Sequence, residues 1–313
     1  MATYGSVGIT NTGWDSSANR DVFKTLVKEH FNSTTGQALV EYKALYKTLK
    51  TNDDYERVMR IAGIGPMRKV IEGQGIMIDE PLFGGTKDFT LVRYGNGFRI
   101  TDRMKRFNKI NLMKMLTDSL KKTMLEGKDI EVMKLWNAPT ATTYGAGFDG
   151  LALAHDTHTT LDPSGTTYDN YLNLALSNSA LESALLYFEG IYDDRGNIII
   201  RKPEQLVINK SLRFTAGQLL RSSNVAFQQS NTKNIFGDWD LKTTVMHRMS
   251  SSTMWYVLGS KSDPLYGPRV YTAVEPDLEM KDSPDRSRDT ECTSHQYFIY
   301  GFTDPRLIVC GQA

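Results

Sequence analysis

Residues 72–104, EGQGIMIDEPLFGGTKDFTLVRYGNGFRITDRM, constrain the fold of this 313-residue chain more than any other stretch. The segment opens on Gly73-Gln74-Gly75 and reads as a two-stranded ribbon. Residues 76–79 form one strand, 81–85 a turn and 86–93 the returning strand, with Gly95 and Gly97 breaking or bulging it before 98–100 extend it. Phe89 and Leu91 share one face and Thr90 and Val92 the other, so neither face is polar throughout. A lone hairpin is marginal in water. This one has no visible core of its own, so it is expected to complete its packing outside the subunit. That predicts an assembly protein before it predicts an enzyme.

A long helix follows the ribbon. Thr101 or Asp102 can cap it, and the pattern carries it over residues 103–136 with Met113, Leu116, Leu120 and Met124 as its apolar stripe. At 1.5 Å per residue it would be roughly 50 Å long. Residues 102–137 hold nine Lys/Arg against five Asp/Glu, a surplus of +4 that suits a solvated face or a face beside a polyanion. Upstream, residues 1–19 read as an extended arm. Helices are expected at 19–31 and 36–50, and Asp53-Asp54 is expected to cap a short helical segment YERVMRIA. Downstream of a Thr-, Gly- and Pro-rich loop (138–167), helices are expected at 179–191 and 210–220. Strands are expected at 198–200, 205–208, 241–246 and 254–258, which makes an α+β domain. The end is β-rich (269–274, 293–301, 307–310). Within it, residues 275–291 carry seven acids against three bases, a deficit of −4. That composition suits ion pairing to a neighbouring subunit.

With 40% hydrophobic and 23% charged residues the chain is of ordinary globular composition, and a formal charge of +1 excludes a whole-chain pull toward nucleic acid or membrane. Two cysteines, Cys292 and Cys310, make no disulfide framework and read as buried free thiols. The N-terminus lacks the pattern of a signal peptide, and no apolar run approaches a membrane span, so a cytosolic chain is expected.

Catalytic and binding motifs are weak. Gly145-Ala146-Gly147-Phe148-Asp149-Gly150 matches G-x-G-x-x-G but follows APTATTY, which is no strand, so a plain glycine loop is expected. His155 and His158 with Asp156 offer too few ligands for a metal site. No nucleophile elbow and no phosphate loop are present. No catalytic residue, cofactor or metal is therefore expected.

The local sequences IDEP (78–81), YGNGFRIT (94–101), DRM (102–104), DGLALAHDTH (149–158), DDRGN (193–197) and KPEQLVINKSLRFTAGQLL (202–220) resemble the major capsid protein of tailed bacteriophages. This is the Hong Kong 97-type fold, and Mu-like major head subunits are the family members most similar in pattern. The resemblance runs over roughly residues 60–310. It implies an N-terminal arm (1–62), an E-loop (63–101) lying over the adjacent subunit, and the spine helix of a P domain (102–137). It further implies an A domain (138–267), a P-domain β-segment (268–301) with its P-loop at 275–291, and a C-terminal strand (302–313) returning to the A domain. Family members form hexamers and pentamers that close an icosahedral shell around double-stranded DNA, with scaffold, portal and sometimes decoration proteins as partners. The resemblance thus implies a virion protein assembled in the host cytoplasm, with no membrane. Some relatives carry a long N-terminal scaffolding region; here it is expected to be absent, removed or a separate protein. The Lys–Asn cross-link of some relatives is not expected, because 275–291 contain no Asn.

The ribbon is expected to dock across a neighbour through Ile76, Ile78, Phe83, Lys87 and Phe89. The charged loop is expected to pair with another subunit through Glu279, Asp282, Asp285, Arg286 and Arg288. Deleting residues 75–87 should then leave a folded subunit unable to close a shell. Two alternatives remain: an encapsulin-like compartment of the same fold, and a soluble α+β metal-dependent enzyme using His155 and His158.

Overall fold

The computed structural model describes residues 17–33, 39–107, 110–162, 165–222, 234–261, 266–283 and 288–313. Helix α1 (Ser17–Ser33) is followed by α2 (Tyr42–Leu45), β1 (Lys47–Lys50), β2 (Tyr55–Ala62), β3 (Leu82–Thr90), β4 (Val92–Ile100), α3 (Asp102–Arg106) and the long α4 (Ile110–Asn137). Then come β5 (His158–Thr159), β6 (Thr167–Tyr168), β7 (Tyr171–Leu172), α5 (Asn178–Glu189), β8 (Ile191–Tyr192), β9 (Ile198–Ile199), β10 (Gln205–Asn209) and α6 (Arg213–Arg221). The chain ends with β11 (Lys242–Met246), β12 (Trp255–Leu258), β13 (Pro268–Asp282), β14 (Thr290–Phe302) and β15 (Ile308–Gly311). It divides into two compact units, one of residues 1–40, 92–129 and 272–298, the other of 41–91, 130–271 and 299–313.

In the first unit, β4 pairs antiparallel with β14 from Val92↔Phe298 to Ile100↔Thr290, and β13 flanks β14 on its other side. The inward residues of these strands pack with α1 and the first part of α4 into one core: Val27, Phe31, Ile100, Met113, Leu120, Met124, Leu278 and Cys292. Gly95 and Gly97 are not breaks. They stand in register opposite His295 and Thr293, and a Cβ on Gly97 would come within 2.7 Å of the Cys292 carbonyl oxygen. Glycine there permits the close approach of β14 rather than a hinge.

The second unit holds a five-stranded sheet in the order β11-β10-β12-β15-β7. Strand β10 runs parallel to β11 and antiparallel to β12; β12 is antiparallel to β15, and β15 parallel to β7. WYVL and IVCG are buried along their whole length, the mark of strands covered on both faces. The expected inward stripe of α5 is realised: Leu181, Ala184, Leu185, Phe188 and the following Ile191 join Leu206, Ile208, Trp255 and Val309 in one core.

Four expectations are corrected. YERVMRIA is strand β2, not a helical segment. Its burial alternates, with Arg60 and Ala62 inward and Met59 and Ile61 outward, and an eight-residue segment of mixed polarity is too short to separate the two periods by eye. The partner of β3 is β2, from Tyr55↔Thr90 to Ala62↔Leu82 with an irregularity near Met59, so residues 76–79 are not a strand and 63–81 are one long loop. Of the helix expected at 36–50, residues 42–45 are helical while 47–50 form β1. Most of the acidic stretch continues β13 as strand to Asp282 instead of forming a loop from residue 275.

Candidate intersubunit surface

The loop of residues 63–81 projects an apolar surface. Met67 is fully exposed, Ile78 is 93% exposed, and Ile64, Ile71, Ile76 and Met77 are open to solvent. The outward face of the ribbon continues this surface. Ile61 and Phe83 are cross-strand partners, and Phe83 is 67% exposed. Inside the loop, Ile64, Met67, Val70, Ile76 and Ile78 line a cavity of about 460 Å³. Apolar patches this concentrated mark interaction sites on folded proteins.

The inward face of the ribbon is bound to its own subunit, which alters the expected roles of Lys87 and Phe89. Phe89 is 3% exposed and packs on Tyr271 at 5.3 Å between ring centroids. Lys87 donates to the Phe302 carbonyl at 2.8 Å and to that of Ala146, with its ammonium over the rings of Phe89 and Phe302. Both side chains make these contacts within their own subunit. Burial pulls the Lys87 amine down to about 8, against a smaller upward pull from Asp149. A folded pKa below the ordinary 10.5 contributes stability that is full above pH 10.5 and is lost as pH falls through 8. Measured against Lys87→Met, the wild-type melting temperature should therefore gain between pH 8 and 10.5; a pH-independent difference would contradict the burial of the ammonium.

The Lys87 contact also gives the glycine loop its role. A dinucleotide site offers N–H groups and a helix N-terminus to phosphate. Here the loop offers the Ala146 carbonyl to an ammonium, and the Phe148 N–H donates to Thr303 (3.0 Å). His158 is fully buried, 2.6 Å from Asp149 through Nδ1 and stacked on Tyr168 at 5.1 Å. Burial raises the Asp149 carboxyl, but the hydrogen bond and charge of His158 outweigh it and hold that carboxyl below its ordinary range. The pair braces the loop. Among the described residues no group of three His, Cys, Asp or Glu could hold a metal ion.

The base of the ribbon rests on a buried ion network. Asp194 takes Arg60 at 2.5 and 3.1 Å and Arg306 at 2.5 Å; Arg306 also pairs with Asp304 at 3.0 Å, and Arg60 reaches the Thr159 carbonyl. Burial raises the Asp194 carboxyl, yet the two guanidinium groups outweigh burial and hold it low. Beside it, Arg195 donates to the carbonyls of Gly63 (3.0 Å) and Glu80 and lies 3.6 Å from the Asp79 carboxylate. In the sequence DDRGN stands out as a local likeness to the capsid family without showing what its side chains reach; in the structure they hold both the base and the neck of the projecting loop.

The charged segment is largely neutralised within the subunit. Asp282 pairs with Lys24 at 2.8 Å and accepts from Thr290; Asp277 pairs with Lys28, Glu279 with Lys281, and Glu291 with Arg99. The Arg288 carbonyl accepts from Lys105 at 2.6 Å. Asp285 and Arg286 lie outside the described residues. The basic excess of the long helix is similarly engaged. Lys121 caps the carbonyls of Phe31 and Asn32, Lys128 is buried against Thr272, and Lys122 and Lys134 pair with Glu126 and Glu131. Such intrahelical pairs cancel charge that a polyanion would otherwise meet. Cys292 and Cys310 are buried free thiols, and burial pushes both up to about 12. No described helix is long and apolar enough to cross a membrane.

A subunit with an anchored ribbon, an exposed apolar loop and a long helix under a β-sheet has the architecture of a shell protein. Residues 84–310 match the family described as phage capsid protein, and the chain belongs to that family. Its fold is the Hong Kong 97 type. It superposes on the procapsid of bacteriophage JBD30 with a TM-score of 0.54 at 11% identity, covering 95% of this chain and 76% of that one. The capsid of the cyanophage P-SCSP1u gives 0.58 at 8% identity, covering 90% of each chain. The virus-like particle from Pyrococcus furiosus gives 0.51 at 11% identity, covering 92% and 96%. At such identities these likenesses concern the fold. No curated protein sequence matches.

Proposed function

We propose that this chain is the major head subunit of a tailed bacteriophage, forming hexamers and pentamers that close into an icosahedral shell around double-stranded DNA. The observation that carries this reading is the apolar loop of residues 64–78, held out from an anchored ribbon with Met67 fully exposed. Burying it on a second copy supplies the association energy, since about 25 cal/mol is gained per Å² of apolar surface removed from water. In this reading residues 55–90 act as the E-loop, the 102–137 helices and 272–298 as the P domain, and the five-stranded sheet with α5 and α6 as the A domain. Ile76, Ile78 and Phe83 make the intersubunit contact. DNA is held through non-specific charge, and scaffold and portal proteins complete the head.

The expressed chain, alone or with a scaffold protein, should form closed shells visible by electron microscopy. A monodisperse monomer under every assembly condition would refute the reading. A compartment of the same fold is the second reading, favoured by the likeness to the Pyrococcus furiosus virus-like particle. Shell contents separate them: nucleic acid supports a phage head, and a cargo protein supports the compartment.

A further inference from the structure

The two ends of the 64–79 loop are gripped by one side chain. The Arg195 Nε donates to the Gly63 carbonyl at the start of the loop (3.0 Å), and another of its guanidinium nitrogens donates to the Glu80 carbonyl at the end. The same group faces the Asp79 carboxylate at 3.6 Å, and that carboxylate accepts the Gly65 N–H at 2.7 Å. A Cβ at position 65 would lie 2.6 Å from the Asp79 Oδ2, so a larger residue would have to push that carboxylate aside. The loop contains no strand, and its apolar side chains largely face solvent. Along its length the Gln74 N–H donates to the Ile71 carbonyl and Arg68 reaches the Met77 sulfur, whereas the closure at the neck ties the two ends together.

The platform under Arg195 is rigid. Asp193 accepts both the Arg195 N–H (2.7 Å) and the Asn197 N–H (2.8 Å), and its own N–H donates to the Asn197 carbonyl (2.7 Å). The next residue, Asp194, is clamped by Arg60 and Arg306. A planar guanidinium presents its donors in a fixed fork, so a pinned backbone gives a pinned neck.

We propose that Arg195 is a positioning residue that sets the angle at which the 64–79 loop leaves the subunit before any neighbour is present. The inference rests on the shell-subunit reading and deepens it. A loop already aimed at its docking site loses less conformational entropy on assembly, and its angle fixes the angle between successive subunits. The Arg195 side chain is replaceable without touching the core of the five-stranded sheet, because its contacts are to the loop.

Hydrogen exchange on the unassembled subunit tests this, with Arg195→Ala and Asp79→Ala. Both variants should melt within about 2 °C of wild type, while amides of residues 64–79 exchange about tenfold faster, the loss of one charge-assisted closure. Amides of 205–209 and 255–258 should be unchanged. Under assembly conditions the Arg195→Ala subunit should give shells of broadened diameter, or open sheets. Unchanged loop exchange in folded Arg195→Ala overturns the proposal, as does faster exchange throughout the unit. An Arg195→Ala chain that fails to fold, with Asp79→Ala exchanging like wild type, also overturns it. If wild type forms no shell yet loop exchange responds, the assembly reading fails and the neck closure stands.

Discussion

Replacing Asp194 with alanine should destabilise the unassembled subunit by about 3–5 kcal/mol, the range seen when one partner of a buried ion network is removed. Arg60, Asp194 and Arg306 are nearly excluded from solvent. Without the carboxylate, the Arg60 guanidinium would keep the Thr159 carbonyl as its hydrogen-bond acceptor among the described residues, and Arg306 would keep its ion pair with Asp304. At roughly 2–4 °C per kcal/mol for a chain of this size, the melting temperature should fall by about 10 °C. Asp194→Asn, which keeps the shape and one acceptor, should cost less. The pH dependence has a fixed sign. A carboxyl held below its ordinary range contributes stability that is full above the unfolded value near 4 and is lost as pH falls through the lower folded value. The gap between wild type and Asp194→Ala should thus be full at neutral pH and close in acid. A loss under about 1 kcal/mol at pH 7 would mean that the network is not formed.

The class of fold was readable because its carriers are local. The α5 stripe 181, 184, 185, 188 follows the helical period, and its members are the core. The runs LVI (206–208) and WYVL (255–258) are uninterrupted by polar residues, as strands buried on both faces are. The ribbon misled because pairing is non-local. Residues 76–79 lie near β3 in sequence, and their short apolar run suggests a strand partner. The true partner, β2, lies beyond a loop of nineteen residues, and loop closure grows dearer only slowly with length. In sequence Phe83 reads as part of the turn and Lys87 and Phe89 as part of the returning strand, yet all three looked equally available to a neighbour. An unbroken pleat would put Phe83 and Phe89 on one face; the irregularity between Phe83 and Thr86 shifts the alternation, so that Phe83 points outward and Phe89 inward. Ion pairs were invisible for the same reason: Lys24 and Asp282 are 258 residues apart, and no spacing rule joins them. Asp194 and Arg195 sat in a motif whose composition announces a turn while concealing what its side chains reach.

Removing residues 66–78 should leave a folded subunit that cannot close a shell. The ends left behind are already adjacent, because the Gly65 N–H donates to the Asp79 carboxylate at 2.7 Å, so a short glycine-serine link spans them at little entropic cost. The excised residues include the fully exposed Met67 together with Ile76 and Ile78, and all of residues 66–78 are exposed. Melting should stay within about 2 °C of wild type, as expected for loop removal away from buried contacts. Assembly should fall below detection, because the deleted surface is the one proposed to bury itself on the next subunit. The boundaries matter. A deletion of 75–87 would also remove the first residues of β3 and the Lys87 ammonium that fastens the ribbon to Ala146 and Phe302, and it should unfold the ribbon as well as abolish closure. Calorimetry and electron microscopy on the two deletions separate a docking loop from a structural strand. Closed shells from the 66–78 deletion would show that the exposed apolar loop is dispensable for assembly and would move the principal contact elsewhere on the subunit.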